Sequence, residues 1–467
     1  MNQVIGSMSL SAVRSAVKGR HYGPDAHFSR VSTDTRTLRA NDLYVALVGE
    51  TFDGNDFTQQ AFAKGACAAV VNDPIPGDWP VLCVVDTTQA LGEIARLNRL
   101  QSTARIVAIT GSQGKTTVKE ITGSILGVNH SVLVTKANFN NHVGVPLTLL
   151  ELDASHDRAV IELGASGLGE IAYTVRMTMP HVAVITNAAA THIEGFGDLQ
   201  GVVTTKGEII DGLSADGVAV LNADDRNLPA WKTRAAGKRV VTFSVGAGAN
   251  EADYRAADIV LDSGAGVAFT LCTPLGELPV TIGLSGLHNV ANAVAAAAAS
   301  MEAGATLAEV KQGFALVKPV PGRLNILKGP SGSVLIDDSY NASPSSFRAA
   351  IDVLAGYRGT RVLIVGDMGE LGEQSESAHR ELGEYARAQG IDSLWSTGKL
   401  SALASEAFGN GGEHFVEQNQ LVVKALATLG EGFVALVKGS RSAAMDKVVQ
   451  KLLAHENKNG ITQREIR

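Results

Sequence analysis

The run Ile106-Val-Ala-Ile-Thr110 passes directly into Gly111-Ser-Gln-Gly-Lys-Thr-Thr117, and a helical stretch continues to Ile121. A buried strand, a glycine turn and a helix in that order select an α/β layering, with the turn at the carboxyl edge of a sheet. Gly111 and Gly114 let the backbone approach a ligand closely, so that the N–H groups of the loop, Ser112 and Gln113 included, can face phosphate oxygens. The helix start adds partial positive charge there. Lys115 can reach the β- and γ-phosphates, and Thr116, followed by Thr117, offers a hydroxyl to Mg²⁺. Only two residues separate the glycines, where the usual phosphate loop has four. The segment reads as a shortened loop for ATP.

The same grammar recurs along the chain. Arg158-Ala-Val-Ile-Glu-Leu-Gly164, Val182-Ala-Val-Ile-Thr186 and Gly217-Val-Ala-Val-Leu-Asn222 are short apolar runs ending in polar or small residues. Such runs suit strands covered on both faces, as in a parallel sheet flanked by helices. After Lys318-Pro-Val-Pro-Gly322 the alternation restarts, at Val334–Asp337, Val362–Gly366, Ser393–Ser396 and Phe433–Lys438. Ahead of Gln101-Ser-Thr-Ala-Arg105 lie the shorter runs Leu43–Val48 and Ala66–Val71. A helix is predicted over 89–101, with Leu91, Ile94, Leu97 and Leu100 on one side. A length of 467 residues agrees with three domains. The expected fold is α/β: a small amino-terminal domain (1–102), a central parallel-sheet domain carrying the loop (103–317), and a doubly wound, Rossmann-like carboxyl-terminal domain (318–467).

Charge and cysteine usage narrow the class. The balance of 40 basic and 47 acidic residues argues against a nucleic-acid partner, which calls for a basic face. Cys67, Cys83 and Cys272 are scattered through apolar stretches without metal or redox spacing, which predicts buried, reduced thiols in a cytoplasmic protein. Residues 1–18 lack the apolar core of a secretory signal. The most apolar stretch, Val290–Met301, contains Asn292 and falls short of the ~20 residues a bilayer demands, so it predicts a buried helix and no transmembrane segment.

Several polar residues stand where strands end. Glu162 follows Val160-Ile161, and a carboxylate there is costly without a cation or partner, which favours a site role. His192 lies in a loop after the Val182 strand, where a ligand and a structural hydrogen bonder are equal readings. Lys206 reads, on pattern alone, as a solvated helix lysine. In Gly286-Leu-His-Asn-Val-Ala-Asn292, Asn289 and Asn292 are spaced i, i+3, to cap the alanine-rich helix or to read an adenine edge. Arg323 sits at the hinge segment, where a planar guanidinium suits phosphate. Asp337 and Asp338 could accept from ribose hydroxyls, with Tyr340 near a ring, and Ser343 and Pro344 read as N-cap and first turn of the next helix.

Taken together, the loop, Asn138-Phe-Asn-Asn-His-Val-Gly-Val-Pro-Leu-Thr148, the His192 loop, Lys206 and Gly286–Asn292 resemble the Mur ligases. Ser32-Thr-Asp-Thr-Arg36 and Phe52-Asp-Gly-Asn-Asp-Phe57 extend the likeness to the first domain. Asp337-Asp-Ser-Tyr-Asn-Ala-Ser-Pro344, Gly366-Asp-Met-Gly-Glu-Leu-Gly372 and Val437-Lys-Gly-Ser-Arg441 extend it to the last. The resemblance implies an amide ligase of peptidoglycan precursor synthesis. Its expected substrates are ATP with Mg²⁺, a UDP-N-acetylmuramoyl-tripeptide held by the first domain, and D-alanyl-D-alanine held by the last; a monomer is expected.

Residue by residue, the resemblance implies that Ser32, Thr33, Asp34, Arg36, Asn138, Asn140 and Asn141 contact the UDP-muramoyl part. Lys115, Thr116 and Glu162 would hold phosphates and one Mg²⁺. His192 and a carbamylated Lys206 would hold a second. Asn289, Asn292, Arg323, Tyr340 and one of Asp337 and Asp338 would line the nucleotide. Thr191 stands where relatives often carry alanine, with His192 still in register. Sister ligases that add another amine, and a phosphate-loop switch without ligation, are the alternative readings.

Overall fold

The computed structural model describes residues 3–190, 193–246, 251–262 and 266–462. Among them, strands gather into three sheets of six, nine and six strands. The expected α/β architecture is present, a sheet for each predicted segment.

The central sheet explains the run-and-loop grammar. Its parallel strands lie side by side in the order Val132–Val134, Arg158–Glu162, Arg105–Thr110, Val182–Ile185, Val218–Asn222, Arg239–Ser244 and Tyr254–Asp262. Val107, Ile109, Val160, Val182 and Val184 are buried on one face, and Ile106, Ala108, Ile161, Ala183 and Ile185 on the other. Each run is therefore apolar at consecutive positions rather than alternating. An antiparallel pair, Gly266–Thr273 and Gly276–Ile282, completes the far edge. The predicted buried helix forms as Leu287–Glu302, with Ala293 to Ala299 all at 1% exposure or less. Alanine supplies helix propensity and lets the helix lie close against the sheet.

The amino-terminal sheet is mixed, with His27–Ser32, Asp42–Val45, Ala68–Val71 and Val81–Cys83 parallel and antiparallel strands at both edges. The predicted helix spans Thr87–Gln101, capped by Asp86. Leu91 and Ile94 are buried as expected, but Leu100 is exposed. At the helix end, Arg99 turns inward to donate to the carbonyls of Thr178, Ser102 and Met179, so the apolar stripe stops one turn early. Asn98 donates to Leu149 O and Leu152 O and accepts from Ile5 N, tying the first segment to the second. One continuous apolar core joins the two.

The carboxyl-terminal sheet runs Asn325–Lys328, Val334–Asp338, Phe433–Lys438, Thr360–Val365, Ser393–Thr397 and Gly412–Phe415, parallel after the first strand. Helices cover both faces over separate cores, which is the doubly wound plan. Ser343 caps the helix Pro344–Ala355 with Pro344 in the first turn, as predicted. All three cysteines are free; Cys272 is buried, while Cys67 and Cys83 are only partly so. Among the described residues, no helix is long and apolar enough to cross a membrane.

Candidate active site

Strand register brings the loop and its companions to one edge. Ile109 pairs with Glu162 on one neighbour, and Thr110 with Ile185 on the other, so Glu162 and Thr186 flank the start of the loop. Gly111 has φ +146°, and a Cβ there would lie 1.9 Å from Thr186 Oγ1. Gly114 has φ +80°, and its Cβ would meet Asn292 Oδ1 at 2.2 Å. Both glycines are thus demanded by what the backbone touches.

Asn187 pins the loop from the adjacent strand end. Its carbonyl accepts from Ser112 N at 3.0 Å and its Oδ1 from Gln113 N at 2.9 Å. The helix Lys115–Leu126 begins immediately after Gly114 without a side-chain cap. Its first-turn N–H groups have no intrahelical acceptor, the condition that draws an anion. Lys115 folds back onto Gly111 O at 2.6 Å and Ser112 O at 3.3 Å. Burial pulls its ammonium below the usual lysine range, opposed by Glu162 and reinforced by Arg323.

Glu162 is 2% exposed. Its Oε1 accepts from Asn140 Nδ2 at 2.8 Å and Thr116 Oγ1 at 3.2 Å, whereas its buried Oε2 accepts no hydrogen bond. Lys119 Nζ stands 4.0 Å from that oxygen and is spent on Thr135 O and Glu120. A buried carboxylate oxygen that accepts no hydrogen bond, beside a threonine hydroxyl, suits a hard cation.

Lys206 corrects the pattern reading. It is 2% exposed, not solvated; its helix, Leu199–Asp211, packs that face inward. Nζ donates to Ala165 O at 3.4 Å and lies 5.2 Å from the Phe196 ring centre. Burial, followed by repulsion from Lys115, lowers its pKa to about 7, against the pull of Glu170 and Glu208. His192 lies outside the described residues.

A cavity of about 840 Å³ opens between the central and carboxyl-terminal segments. It is lined by Ser112 to Thr117, Asn138, Asn140, Asn141, Glu162, Asn289, Asn292, Arg323, Asp338 and Tyr340. Gly111, Lys206 and Asp337 do not line it. Ser32, Thr33, Asp34 and Arg36 are elsewhere, in the first segment, where Arg36 forks onto Asp34. Asn289 and Asn292 do not cap their helix; Asn289 Nδ2 donates to Ser285 O and its Oδ1 accepts from Asn292.

The two adjacent aspartates separate by role. Asp337 accepts from Gly322 N, Ser339 N and Ser339 Oγ, so it holds the backbone at Gly322. Asp338 faces the cavity, accepts from Leu324 N, and pairs with Lys438 Nζ at 2.6 Å. Burial raises the Asp338 carboxyl, with Lys438 pulling the other way. Lys438 is a site residue that pattern reading left without a role. Its place at the end of the run Phe433–Lys438 was the available signal, since ligands gather beyond such ends.

Three hydrogen bonds cross between the loop and the last segment. Gln113 Nε2 donates to Ser343 Oγ at 3.0 Å and Ser345 Oγ at 2.5 Å. Arg323 Nη2 donates to Thr116 Oγ1 at 3.0 Å, its guanidinium 4.5 Å from the Tyr340 ring centre.

Comparison with known proteins agrees with this arrangement. Residues 27–99 match the Mur ligase family catalytic domain, 109–300 the Mur ligase middle domain, and 322–441 the Mur ligase glutamate ligase domain. The chain is 48% identical over 448 residues to the UDP-N-acetylmuramoyl-tripeptide–D-alanyl-D-alanine ligase of Escherichia coli (strain K12), covering 96% of this chain and 98% of that protein. A crystal structure of MurF from Acinetobacter baumannii superposes with a TM-score of 0.90 at 33% identity, covering 96% and 99% of the two chains. MurF ligase from Thermotoga maritima in complex with ADP superposes at 0.81 with 27% identity, covering 92% and 98%.

Proposed function

This chain belongs to the Mur ligase family, and from that premise we propose that it joins D-alanyl-D-alanine to a UDP-N-acetylmuramoyl-tripeptide at the expense of ATP. The observation that carries the reading is the hydrogen-bonded chain Arg323–Thr116–Glu162, which assembles a phosphate and cation site where two domains meet. The tripeptide and dipeptide substrates come from the relatives that this chain resembles over nearly its whole length.

The site residues divide the labour. Residues 103–317 would bind ATP: Lys115 and the helix start hold the phosphates, while Asn289, Asn292 and Tyr340 line the rest of the nucleotide. Asp338, rather than Asp337, faces the ribose, because Asp337 is occupied by the hinge. Residues 1–102, through Ser32, Thr33, Asp34 and Arg36, would hold the UDP-sugar together with Asn138, Asn140 and Asn141. Residues 318–467 would receive the dipeptide.

Mg²⁺ fits Thr116 and Glu162 as donors for one ion; the family resemblance implies His192, which lies outside the described residues, and a carbamylated Lys206 for another. Carbamylation needs an unprotonated amine, and a pKa of about 7 supplies it; the product offers the anionic oxygen such a cation prefers. When bound, Mg²⁺ neutralises phosphate charge and orients the groups in line.

The terminal carboxylate of the tripeptide attacks the γ-phosphorus and the bond to ADP breaks, leaving an acyl phosphate. The dipeptide amine attacks that carbonyl, phosphate departs, and the amine loses a proton. Water must be kept out meanwhile, and closure about residues 318–322, drawing Gln113 and Arg323 onto their partners, would do this. The precursor chemistry supports a cytoplasmic place.

A coupled phosphate-release assay with the tripeptide precursor and a panel of amines tests the reading. Release that depends on D-alanyl-D-alanine and not on single amino acids is expected. A preference for a third-position amino acid or for glutamate assigns the chain to a sister ligase.

A further inference from the structure

Among the described residues, four lysine and arginine side chains line the cavity: Lys115, Arg323, Lys438 and Arg441. Three are engaged by the protein itself. Lys115 is folded onto two loop carbonyls, Arg323 onto Thr116 and Tyr340, and Lys438 onto Asp338 and Asn341 O. Arg441 is held more loosely, by Asp446 at 3.3 Å and against the Tyr340 ring, with 68% of its side-chain surface exposed.

Its location relative to the reacting end is set by one aromatic ring. The Arg441 guanidinium lies 5.9 Å from the centre of Tyr340, and that of Arg323 lies 4.5 Å from the same centre. The two cations are thus no further apart than those lengths laid end to end. Arg323 marks the phosphate end, because it donates to Thr116. An extended dipeptide is about 7 Å long, at roughly 3.5 Å per residue. That length lies within the limit, with the carboxylate toward Arg441 and the attacking amine toward Arg323; a single amino acid is half as long. The cavity wall of the same domain adds Ala349, Ala350 and Leu371, small apolar surfaces suited to methyl side chains.

We propose that Arg441 binds the free carboxylate of the incoming dipeptide and thereby selects its length. The inference rests on the amide-ligase reading above. A planar guanidinium can take a carboxylate with two parallel hydrogen bonds, so the free acid should be strongly preferred over its neutral amide.

The test compares kcat/KM for D-alanyl-D-alanine and for D-alanyl-D-alaninamide, in the wild type and in Arg441→Gln. The ratio is read within each variant, so any loss of folded protein cancels. The wild type should favour the acid by about 10- to 100-fold. Arg441→Gln should use both within about threefold, through a raised KM for the acid. Arg441→Lys should keep a smaller preference, and it decides the question if Arg441→Gln is too slow to assay. An undiminished preference in the variants overturns the assignment alone. Wild-type protein that turns over no dipeptide overturns the function and the assignment together.

Discussion

Arg323 donates to the Thr116 hydroxyl at 3.0 Å, and Thr116 in turn donates to Glu162 at 3.2 Å, so the carboxyl-terminal segment reaches the proposed cation site through one side chain. Replacing Arg323 by alanine should raise KM for ATP by about 10- to 100-fold, the usual consequence of losing a charge-assisted contact. Arg323→Lys should recover little, since an ammonium has neither the fork nor the flat face that rests on Tyr340. Steady-state kinetics in ATP checks both.

Glu162 carries a buried oxygen that accepts no hydrogen bond, which costs stability unless a cation meets it. Glu162→Gln removes that charge while leaving Asn140 and Thr116 as neighbours. The variant should melt at or above the wild-type temperature without ligands, yet lose at least about 100-fold in turnover and need far more Mg²⁺. Paired melting curves and Mg²⁺ titrations measure the two effects.

Lys206 gives a pH dependence with a definite sign. Its pKa falls from an ordinary 10.5 to about 7 in the folded chain. Below the lower value the amine is charged in both states and the burial penalty is fully present. Between the two values the unfolded chain binds the extra proton, so stability rises with pH until the penalty is gone. In carbon-dioxide-free buffer, Lys206→Met should exceed the wild type in stability most near pH 6, with the gap closing toward about pH 10. Urea unfolding across that range reads it. Activity lost in Lys206→Ala should return in part with small carboxylates.

The adjacent aspartates should fail in different ways. Asp337→Ala strips three hydrogen bonds from a nearly buried carboxylate and should cost about 2–4 kcal/mol of stability. Asp338→Asn keeps the shape but weakens the contact with Lys438, and should chiefly raise KM for ATP. Denaturant unfolding together with ATP kinetics distinguishes hinge from ribose contact.

Much of this was legible in the chain. Buried parallel strands read as uninterrupted apolar runs, so Arg105–Thr110, Val182–Ile185 and Phe433–Lys438 could be placed almost to the residue. The edge hairpin Gly266–Thr273 and Gly276–Ile282 was not, because buried positions alternate with half-buried or exposed ones along it and Pro279 interrupts its second strand. Lys206 was misread because helix periodicity cannot reveal a cation buried against a carbonyl and a ring. The choice between Asp337 and Asp338 depended on which side chain the hinge backbone claims, a tertiary fact with no local signature. Arg441 stood in a recognised motif, but its relation to Tyr340 needs two strand ends that lie far apart in sequence.

The most direct measurement is ADP release from ATP and the UDP-N-acetylmuramoyl-tripeptide, with and without D-alanyl-D-alanine, together with identification of the uridine product. The assembled site predicts release that depends on the dipeptide, equals the amount of pentapeptide formed, and disappears in Lys115→Ala. Equal release in the presence and absence of the dipeptide would contradict ligation and leave only a nucleotide hydrolase.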